Sequence, residues 1–293
     1  MSRVYLHSDH HHNTLNKVMI LLMLPFICWG FYKNGIKLYL AEYISLLEMF
    51  KPILLVLISV LVTWVFSKIN HEKFIGYLLV SNLLISLIVM PNINLLGYLI
   101  LMIILNFFYK KWKFNIVPIF MIIAIAIAIL IKDYHFFNVL ENSVEHSYSL
   151  LDYLIGKGYG GISNTCLVVS LISLGVLSFN VMYKKQIPLM AFSSYYLFAL
   201  ITIFVTGTTN QDLLLNNNVI FAFVFLSNIS IYTPYSRGGR YIYGLLLGVL
   251  TFAFSFIDIN LGVYLSLGIV SFLSPLIDRF IVGKTENNLV EML

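Results

Sequence analysis

The chain has 293 residues, of which 60% are hydrophobic and only 11% are charged, and its mean hydropathy is +0.90. About a quarter of the residues in a typical soluble domain are charged, so this composition excludes a soluble globular protein and indicates an integral membrane protein. The net charge of +5 does not indicate nucleic-acid binding, because the basic residues lie between apolar segments. The two cysteines are too few for a disulfide framework or a four-thiolate metal site.

Ten apolar segments are long enough to be candidate transmembrane helices. We predict them at Leu15–Phe31, Pro52–Ile69, Ile75–Met90, Leu95–Tyr109, Ile116–Ile131, Ile162–Met182, Ile187–Val205, Val219–Tyr232, Ile242–Ile257 and Leu261–Phe280. Between the first two, Glu42 and Glu48 interrupt the apolar pattern of Ile36–Phe50, which we interpret as an interfacial amphipathic helix. The polar start, Met1–Asn16, precedes no small-residue cleavage site, so no removable signal peptide is predicted.

The basic residues predict how these segments are oriented. With both termini in the cytoplasm, 13 of the 18 basic residues fall on the inner side, as the positive-inside rule requires. The inner set is Arg3, Lys17, Lys68, Lys73, Lys110, Lys111, Lys113, Lys184, Lys185, Arg237, Arg240, Arg279 and Lys284. The outer set is Lys33, Lys37, Lys51, Lys132 and Lys157. The sequence therefore predicts a multi-pass protein of the cell membrane with cytoplasmic termini.

This orientation divides the single membrane domain into two halves. Residues 1–131 are predicted to form a five-helix N-terminal half, residues 132–161 an extracytoplasmic connecting loop, and residues 162–293 a five-helix C-terminal half. The first half begins inside and the second begins outside. The predicted fold is therefore an all-α, five-plus-five inverted repeat whose halves are related by an axis in the membrane plane. The halves share no convincing sequence similarity, so topology alone supports the repeat.

No Asp, Glu, Lys, Arg or His lies near the middle of any predicted helix. Ionisable groups within the membrane mark proton relays, so this absence argues against a carboxylate proton pathway within the chain. The polar residues at depth are neutral, and include Asn82, Asn106, Asn115, Asn180 and Asn228. Such amides suit hydrogen bonds to a neutral ligand, and they also serve as ordinary contacts between helices.

The glycine-rich run Gly158–Cys166 is the strongest candidate for a binding site, at the point where the central loop enters the sixth predicted helix. Glycines let a ligand approach the backbone closely, and amides at a helix start can receive an anion such as a flavin phosphate. The candidate cofactor-binding residues are Gly160, Gly161, Ser163, Asn164, Thr165 and Arg240. The alternative is a tight loop in which Ser163 or Asn164 caps the helix.

Charged residues near the C-terminus give less specific signals. Arg240 belongs to a predicted inner turn, where its guanidinium can pair with the carboxylate of a cofactor or partner or contact lipid phosphates. Asp278 and Arg279 are interpreted as a local pair at the end of the last helix. Neither position is by itself evidence of redox chemistry.

Histidine and cysteine residues do not form a convincing metal site. His7 and His10–His12 have metal-ligand chemistry, but adjacent histidines on a short tail are seldom all ligands of one ion. Cys28 and Cys166 are interpreted as two buried free thiols rather than ligands of a shared iron–sulfur cluster. No nucleophile–base triad and no phosphate-binding P-loop is visible, so the sequence predicts no self-contained catalytic site.

Four short motifs carry a resemblance to one family of membrane proteins. Pro234 with Gly239–Gly244 is similar to that family's P-x-G-R-L-I-Y-G segment, and Pro275–Asp278 resembles its closing P-L-I-D. Gly160–Cys166 is similar to its G-S-I-G-E-T-S, and Gln186–Leu189 to its R-I-P-L. The family comprises membrane subunits B and D, respectively, of the sodium-translocating NADH:quinone oxidoreductase and of the Rnf electron-transport complex.

The resemblance implies a ten-helix inverted-repeat fold of the urea-channel type, a bound flavin, and a place among other membrane subunits of a redox complex. Family members attach FMN covalently to a threonine in an S/T-G-A-T motif on the central outer loop. This chain has no such motif there, because the loop offers Ser143, Ser147 and Ser149 but no threonine before Thr165. Asn164 also stands where the family has glutamate. FMN or riboflavin is therefore expected to bind non-covalently, and covalent FMN is not expected.

Three functional hypotheses follow from these observations. The first is an integral membrane subunit of an Rnf- or NADH:quinone oxidoreductase-like complex that couples electron transfer to ion transport, with its flavin non-covalent or lost. The second is a passive channel or carrier for a small neutral solute on the same fold, which helices without central charges favour. The third is a purely structural assembly subunit. The expected partners are other membrane subunits and the lipid bilayer, without nucleic acid.

Overall fold

The structure is a computed structural model that describes residues 9–71, 74–112, 114–132, 150–156, 160–207, 211–229 and 232–290. Within these ranges every regular element is a helix. Most of the predicted connecting loop, residues 132–161, lies outside the described residues, together with His7, Ser143, Ser147 and Ser149. The division of the chain into two halves and a loop therefore stays a prediction.

Fourteen α-helices make up the described part of the chain. They are α1 (Asp9–Phe31), α2 (Lys37–Leu40), α3 (Leu46–Met49), α4 (Lys51–Asn70), α5 (Tyr77–Ile88), α6 (Leu95–Trp112), α7 (Ile116–Leu130), α8 (Leu150–Ile155), α9 (Leu167–Ser178), α10 (Gln186–Thr206), α11 (Gln211–Leu214), α12 (Asn217–Val224), α13 (Arg237–Ser255) and α14 (Ile259–Val290). A π-helical turn at Tyr32–Ile36 joins α1 to α2, and a 3₁₀ turn at Leu226–Asn228 follows α12.

Each of the ten predicted apolar segments overlaps one of these helices. Four helical stretches in the described chain are long and apolar enough to cross a membrane: Thr14–Leu40, Lys51–Asn70, Gln186–Thr206 and Ile259–Ile281. Five further apolar helices are shorter, at Tyr77–Ile88, Leu95–Tyr109, Ile116–Leu130, Leu167–Ser178 and Asn217–Asn228. The predicted class, an all-α membrane protein, is confirmed in the described ranges.

The interpretation of Ile36–Phe50 as one interfacial helix is wrong. Glu42 adopts a left-handed backbone conformation with φ of 61°, which ends α2 and prevents a continuous helix. A new helix, α3, then begins with a capping box, in which the Ser45 side chain accepts a hydrogen bond from the Glu48 amide and the Glu48 carboxylate accepts one from the Ser45 amide. The segment therefore folds as two short helices joined by a turn.

Two helix starts differ from the predicted ones. The Ser236 side chain accepts a hydrogen bond from the Gly239 amide at 3.1 Å, and this cap starts α13 at Arg237, before the predicted Ile242. In contrast, the segment from Ile162 to Cys166 is not helical, and α9 begins only at Leu167. Arg240 therefore lies in the first turn of a helix and not in a loop.

Helices α5 and α12, the third in each predicted half, are short and deeply buried. Every residue of α12 is buried, as is every residue of α5 except Tyr77. At 1.5 Å per residue they are only about 18 and 12 Å long, against about 30 Å for the hydrocarbon core of a bilayer. Their ends therefore continue as non-helical backbone within the protein, which membrane proteins tolerate only where protein or water surrounds it.

Small residues let the C-terminal helices pack closely. Helix α13 packs against α10 on one side and α14 on the other. A β-carbon built on Gly248 would lie 3.0 Å from the Tyr195 amide nitrogen and would overlap the Ala191 carbonyl and the Ser194 hydroxyl. Such close approach of backbones is the usual basis of helix association in membranes, and it holds the elements around the buried α12 in place.

Candidate functional site

The loop Gly160–Cys166, here called the entry loop, closes the C-terminal end of α5. The Ile162 amide donates to the Val89 carbonyl at 2.8 Å, and the Ser163 amide donates to the Leu87 carbonyl at 2.9 Å. The last carbonyls of a helix have no partner within the helix. The amides of the entry loop therefore donate the hydrogen bonds that water would donate at an exposed helix end. This pairing explains why the loop stays non-helical and α9 starts late.

Glycine is required in the entry loop by the backbone of α5. A β-carbon on Gly161 would lie 2.7 Å from the Ile88 Cα and would overlap the Ile88 carbonyl. A β-carbon on Gly160 would lie 2.7 Å from the Thr165 methyl carbon. Both glycines therefore serve close packing within the protein.

A chain of buried amides joins the entry loop to two other helices. The Gly161 amide donates to Asn164 Oδ1 at 2.7 Å, and Asn164 Nδ2 donates to Asn218 Oδ1 at 2.6 Å. Asn218 Nδ2, at the start of α12, in turn donates to Asn260 Oδ1 of α14 at 2.6 Å. We call Asn164, Asn218 and Asn260 the asparagine chain. It is neutral, and both Asn164 and Asn218 are fully buried.

The end of α1 holds the entry loop from the other side. Trp29 Nε1 donates to the Thr165 hydroxyl at 3.2 Å, and the Asn34 amide donates to the Ile162 carbonyl. Lys33 Nζ donates to the Gly156 carbonyl at 2.8 Å. Lys33, which the positive-inside rule places among the outer charges, is buried with its ammonium group against this carbonyl.

The structure brings five of the six predicted site residues together, but not in the expected arrangement. Capping of the helix by Ser163 or Asn164 is wrong, since the N-cap of α9 is Cys166, without a side-chain cap. The amides of Gly161, Ile162 and Ser163 donate to protein oxygens, and all five residues are buried. The amides that were candidates for binding a flavin phosphate are therefore bonded to protein oxygens. Flavin binding by the protein as a whole stays a prediction.

Arg240, the sixth predicted residue, lies beyond the opposite end of α9 from the entry loop. It belongs to a cluster in which two of the family-like motifs meet. The Asp278 carboxylate accepts hydrogen bonds from the Tyr235 amide at 2.8 Å and from the Ser236 amide and hydroxyl at 3.0 and 2.6 Å. Arg240 donates to the Tyr235 carbonyl at 3.0 Å. Asp278 therefore fixes the start of α13, and its interpretation as a local pair with Arg279 is wrong.

Lys184 is the buried cation of this cluster. Its Nζ donates to the carbonyls of Thr233 and Pro234, both at 3.1 Å, and to the Thr233 hydroxyl. The Lys184 amide donates to Asn228 Oδ1 at 3.0 Å, which joins the cluster to the end of α12. We call Lys184 with Thr233, Pro234, Arg240 and Asp278 the lysine cluster. Two of its members, Thr233 and Asp278, line a cavity of about 300 Å³ between α7 and α14.

The chain matches the model of one protein family. The model of the NQR2, RnfD, RnfE family matches residues 1–286. The chain belongs to this family. The resemblance carried by the four motifs is thus confirmed, and the protein is a membrane subunit of the Rnf/Nqr type. A comparison with curated proteins gave no match.

Some neutral residues of this family member simply join helices. Asn82 of α5 donates to the Thr63 hydroxyl of α4 at 2.9 Å and to Asn106 Oδ1 of α6 at 3.1 Å. For Asn82 and Asn106, the interpretation as contacts between helices is confirmed. The interpretation of both cysteines as buried is wrong for Cys28, whose side chain is exposed on α1.

Sequence reasoning missed most of the residues that organise these two clusters. A recognisable signal preceded α12, since three consecutive asparagines, Asn216–Asn218, stand directly before an apolar run. A polar residue in that position is a typical helix cap, and Asn216 does accept from the amides of Asn218 and Val219. No pattern distinguished Lys184 from its neighbour Lys185, because burial depends on distant residues.

The pKa of Lys184 predicts an unusual pH dependence of stability. Burial and, to a lesser extent, the nearby Arg240 charge lower this pKa from 10.5 to about 7, against a smaller raising effect of Asp278. Between about pH 7 and 10.5, the unfolded chain therefore binds a proton that the folded protein does not. The cost of burying the cation is fully present below pH 7 and is relieved as the pH rises.

We expect the melting temperature of the native protein to rise between pH 7 and pH 9 relative to that of Lys184→Met. The free energy of unfolding is expected to rise by about 1.4 kcal/mol per pH unit in this range. The adjacent, exposed Lys185 provides the control, since Lys185→Met retains the native pH dependence. Thermal unfolding in detergent across this range measures both variants, and parallel curves for the native protein and Lys184→Met would contradict the prediction.

Proposed function

We propose that the chain couples electron transfer to ion transport as one membrane subunit of an Rnf- or Nqr-type complex. The observation that carries this proposal is the family match over residues 1–286, which spans both predicted halves. Family membership does not favour the passive channel for a neutral solute. Proteoliposomes that contain the chain alone are therefore expected to show no solute flux above empty vesicles.

We further propose that the helices cross the membrane ten times, in a five-plus-five inverted repeat of the urea-channel type. If successive helices cross the membrane in alternate directions, the end of α1 lies on the same side as the starts of α9, α12 and α14. Hydrogen bonds in the structure join these ends. The end of α1 meets the start of α9 through Trp29 and Thr165, and the starts of α12 and α14 meet through Asn218 and Asn260. At the other end of α9 and α12, Lys184, which follows α9, donates a hydrogen bond to the carbonyl of Thr233, which follows α12.

Contacts between equivalent helices support the repeat. In an inverted repeat, α1 corresponds to α9 and α7 to α14, and elements next to the symmetry axis contact their own equivalents. In the structure α1 packs against α9, and α7 packs against α14. The two short buried helices, α5 and α12, are equivalent positions as well.

Cysteine labelling tests the orientation that we propose, with both termini in the cytoplasm. Cys28 and Cys166 are first replaced by serine, and Glu145→Cys is then treated with a membrane-impermeant maleimide in intact cells. We expect labelling at this position. The matched variant Arg237→Cys, at the exposed start of α13, is expected to react only after the membrane is opened. The reverse pattern would overturn the topology.

We propose that FMN or riboflavin is bound non-covalently and away from the entry loop. A cavity of about 770 Å³ between α4, α6 and α7 has the volume of a cofactor site, with largely apolar walls. Its polar lining includes Glu48, Lys51, Asn92 and Asn94. The cationic Lys51 is suited to the phosphate of a flavin nucleotide, and the apolar walls are suited to its ring.

The absorption spectrum of the purified protein before and after acid precipitation tests the flavin proposal. We expect a flavin spectrum whose chromophore is released into the supernatant. Fluorescence that stays with the precipitated polypeptide would show a covalent bond and contradict the proposal. A colourless protein would contradict flavin binding and leave a subunit that acts without one. Lys51→Ala is expected to lower the flavin-to-protein ratio, whereas Lys37→Ala, outside this cavity, is not.

A further inference from the structure

Three fully buried side chains of α12, α13 and α14 carry polar atoms that have no hydrogen-bond partner among the described residues. They are Asn217 at the start of α12, Thr251 in α13 and Tyr264 in α14, and all three are at most 1% exposed. Both amide atoms of Asn217 lack a partner, as do the Thr251 and Tyr264 hydroxyl oxygens. Leaving such groups unpaired costs about 1–3 kcal/mol each, and native proteins contain few of them.

The surrounding contacts place these three side chains near one level of the bundle. Asn218, next to Asn217, donates to Asn260, and Tyr264 lies one helical turn beyond Asn260 on the same face of α14. Thr251 belongs to a buried stripe of α13, with Tyr243 and Ser255 on the same face.

Two contacts fix how this stripe lies against α14. The Tyr243 hydroxyl is 3.5 Å from Ser271 Oγ, and a β-carbon on Gly262 would lie 2.9 Å from the Ser255 amide nitrogen. Since the two helices run antiparallel, Thr251 falls between these contacts, opposite the region of Tyr264. Thr251 and Tyr264 therefore lie at about the same level along the two helices.

The interior of the N-terminal half is arranged differently. The Tyr98 hydroxyl pairs with Ser59 Oγ at 2.6 Å, and the Thr63 hydroxyl donates to the Ser59 carbonyl at 2.7 Å. Asn82 and Asn106 pair with each other and with their neighbours. These five side chains bond to one another or to backbone carbonyls, whereas Ser67 Oγ, one turn beyond Thr63 in α4, has no partner among the described residues.

We infer that ordered water molecules bind Asn217, Thr251 and Tyr264 in the interior of the C-terminal half, whereas Tyr98 and its partners in the N-terminal half bind none. Buried water typically makes about three hydrogen bonds to polar groups that would otherwise be unsatisfied. Asn217, Thr251 and Tyr264 offer two kinds of partner, amide and hydroxyl, without any charge. This inference does not depend on the proposed electron-transport function.

Removing one tyrosine hydroxyl from each half tests the inference, because bound water and a dry site predict different changes in melting temperature for Tyr264→Phe. If water is bound, Tyr264→Phe removes a hydrogen bond and is expected to lower the melting temperature by about 2–4 °C. If the site is dry, the same change removes an unpaired group, and the melting temperature stays constant or rises, which would overturn the inference. Tyr98→Phe loses its bond to Ser59 in either case, and shows that the assay detects one buried hydroxyl.

Radiolytic footprinting of the purified full chain gives a readout that does not depend on stability. X-ray pulses convert bound water into hydroxyl radicals, which modify the side chains next to it. Tyr98 and Tyr264 have the same chemistry and are both 0% exposed. We expect modification of Tyr264 at several times the rate of Tyr98, and equal protection of the two tyrosines would contradict a hydrated site.

Discussion

Gly161→Ala is expected to abolish the folded protein. The new β-carbon would lie 2.7 Å from the Ile88 Cα and would overlap the Ile88 carbonyl, so two backbone segments would have to separate. That separation also breaks the Ile162–Val89 and Ser163–Leu87 hydrogen bonds, which close the end of α5. The combined loss is on the order of 4–5 kcal/mol or more, within the range that unfolds a marginally stable protein.

The yield of monodisperse protein after detergent extraction, measured by size-exclusion chromatography, checks this expectation. The chain offers a matched control in Gly175 of α9, where an added β-carbon would meet nothing within 4 Å. Gly175→Ala is expected to keep the native yield and to stabilise the helix by about 0.5–1 kcal/mol. Equal yields for the two variants would show that the entry loop does not pack against α5 as described.

Asn218→Leu is expected to produce the second-largest loss of stability. Leucine has a similar volume but no amide, so Asn164 Nδ2 and Asn260 Oδ1 both lose their partners in a buried region. Each unpaired buried group costs about 1–3 kcal/mol, which gives a total of about 2–6 kcal/mol. The melting temperature in detergent is therefore expected to fall by at least about 5 °C.

An exposed asparagine with a purely local role serves as the comparison for Asn218→Leu. Asn94 accepts a hydrogen bond from the Leu96 amide at 2.9 Å at the start of α6, and Asn94→Ala costs about 1 kcal/mol as the loss of a helix cap. Similar melting temperatures for the two variants would contradict the view that the asparagine chain joins the entry loop to α12 and α14.

The membrane class and the positions of the helices could be predicted from sequence because both depend on local composition. A run such as Ile187–Val205 is apolar whatever surrounds it, and the observed helix, Gln186–Thr206, differs by one residue at each end. Family membership was equally accessible, because short motifs such as Pro275–Asp278 retain their residue types. The predicted entry into α9 was wrong for the opposite reason. Ile162 is apolar, yet its amide pairs with Val89, far away in the sequence.

The amino-acid sequence by itself determined that this protein is a helical membrane subunit of its family, since the hydrophobic effect and the motifs act within a few neighbouring residues. Only the tertiary structure decided that Gly161 packs against Ile88, that Asn164 reaches Asn218, and that Lys184 is buried. These contacts join residues from distant parts of the chain. Neutral polar groups within the membrane form hydrogen bonds with the partners that the fold brings close, and no local sequence pattern predicts which partners these are.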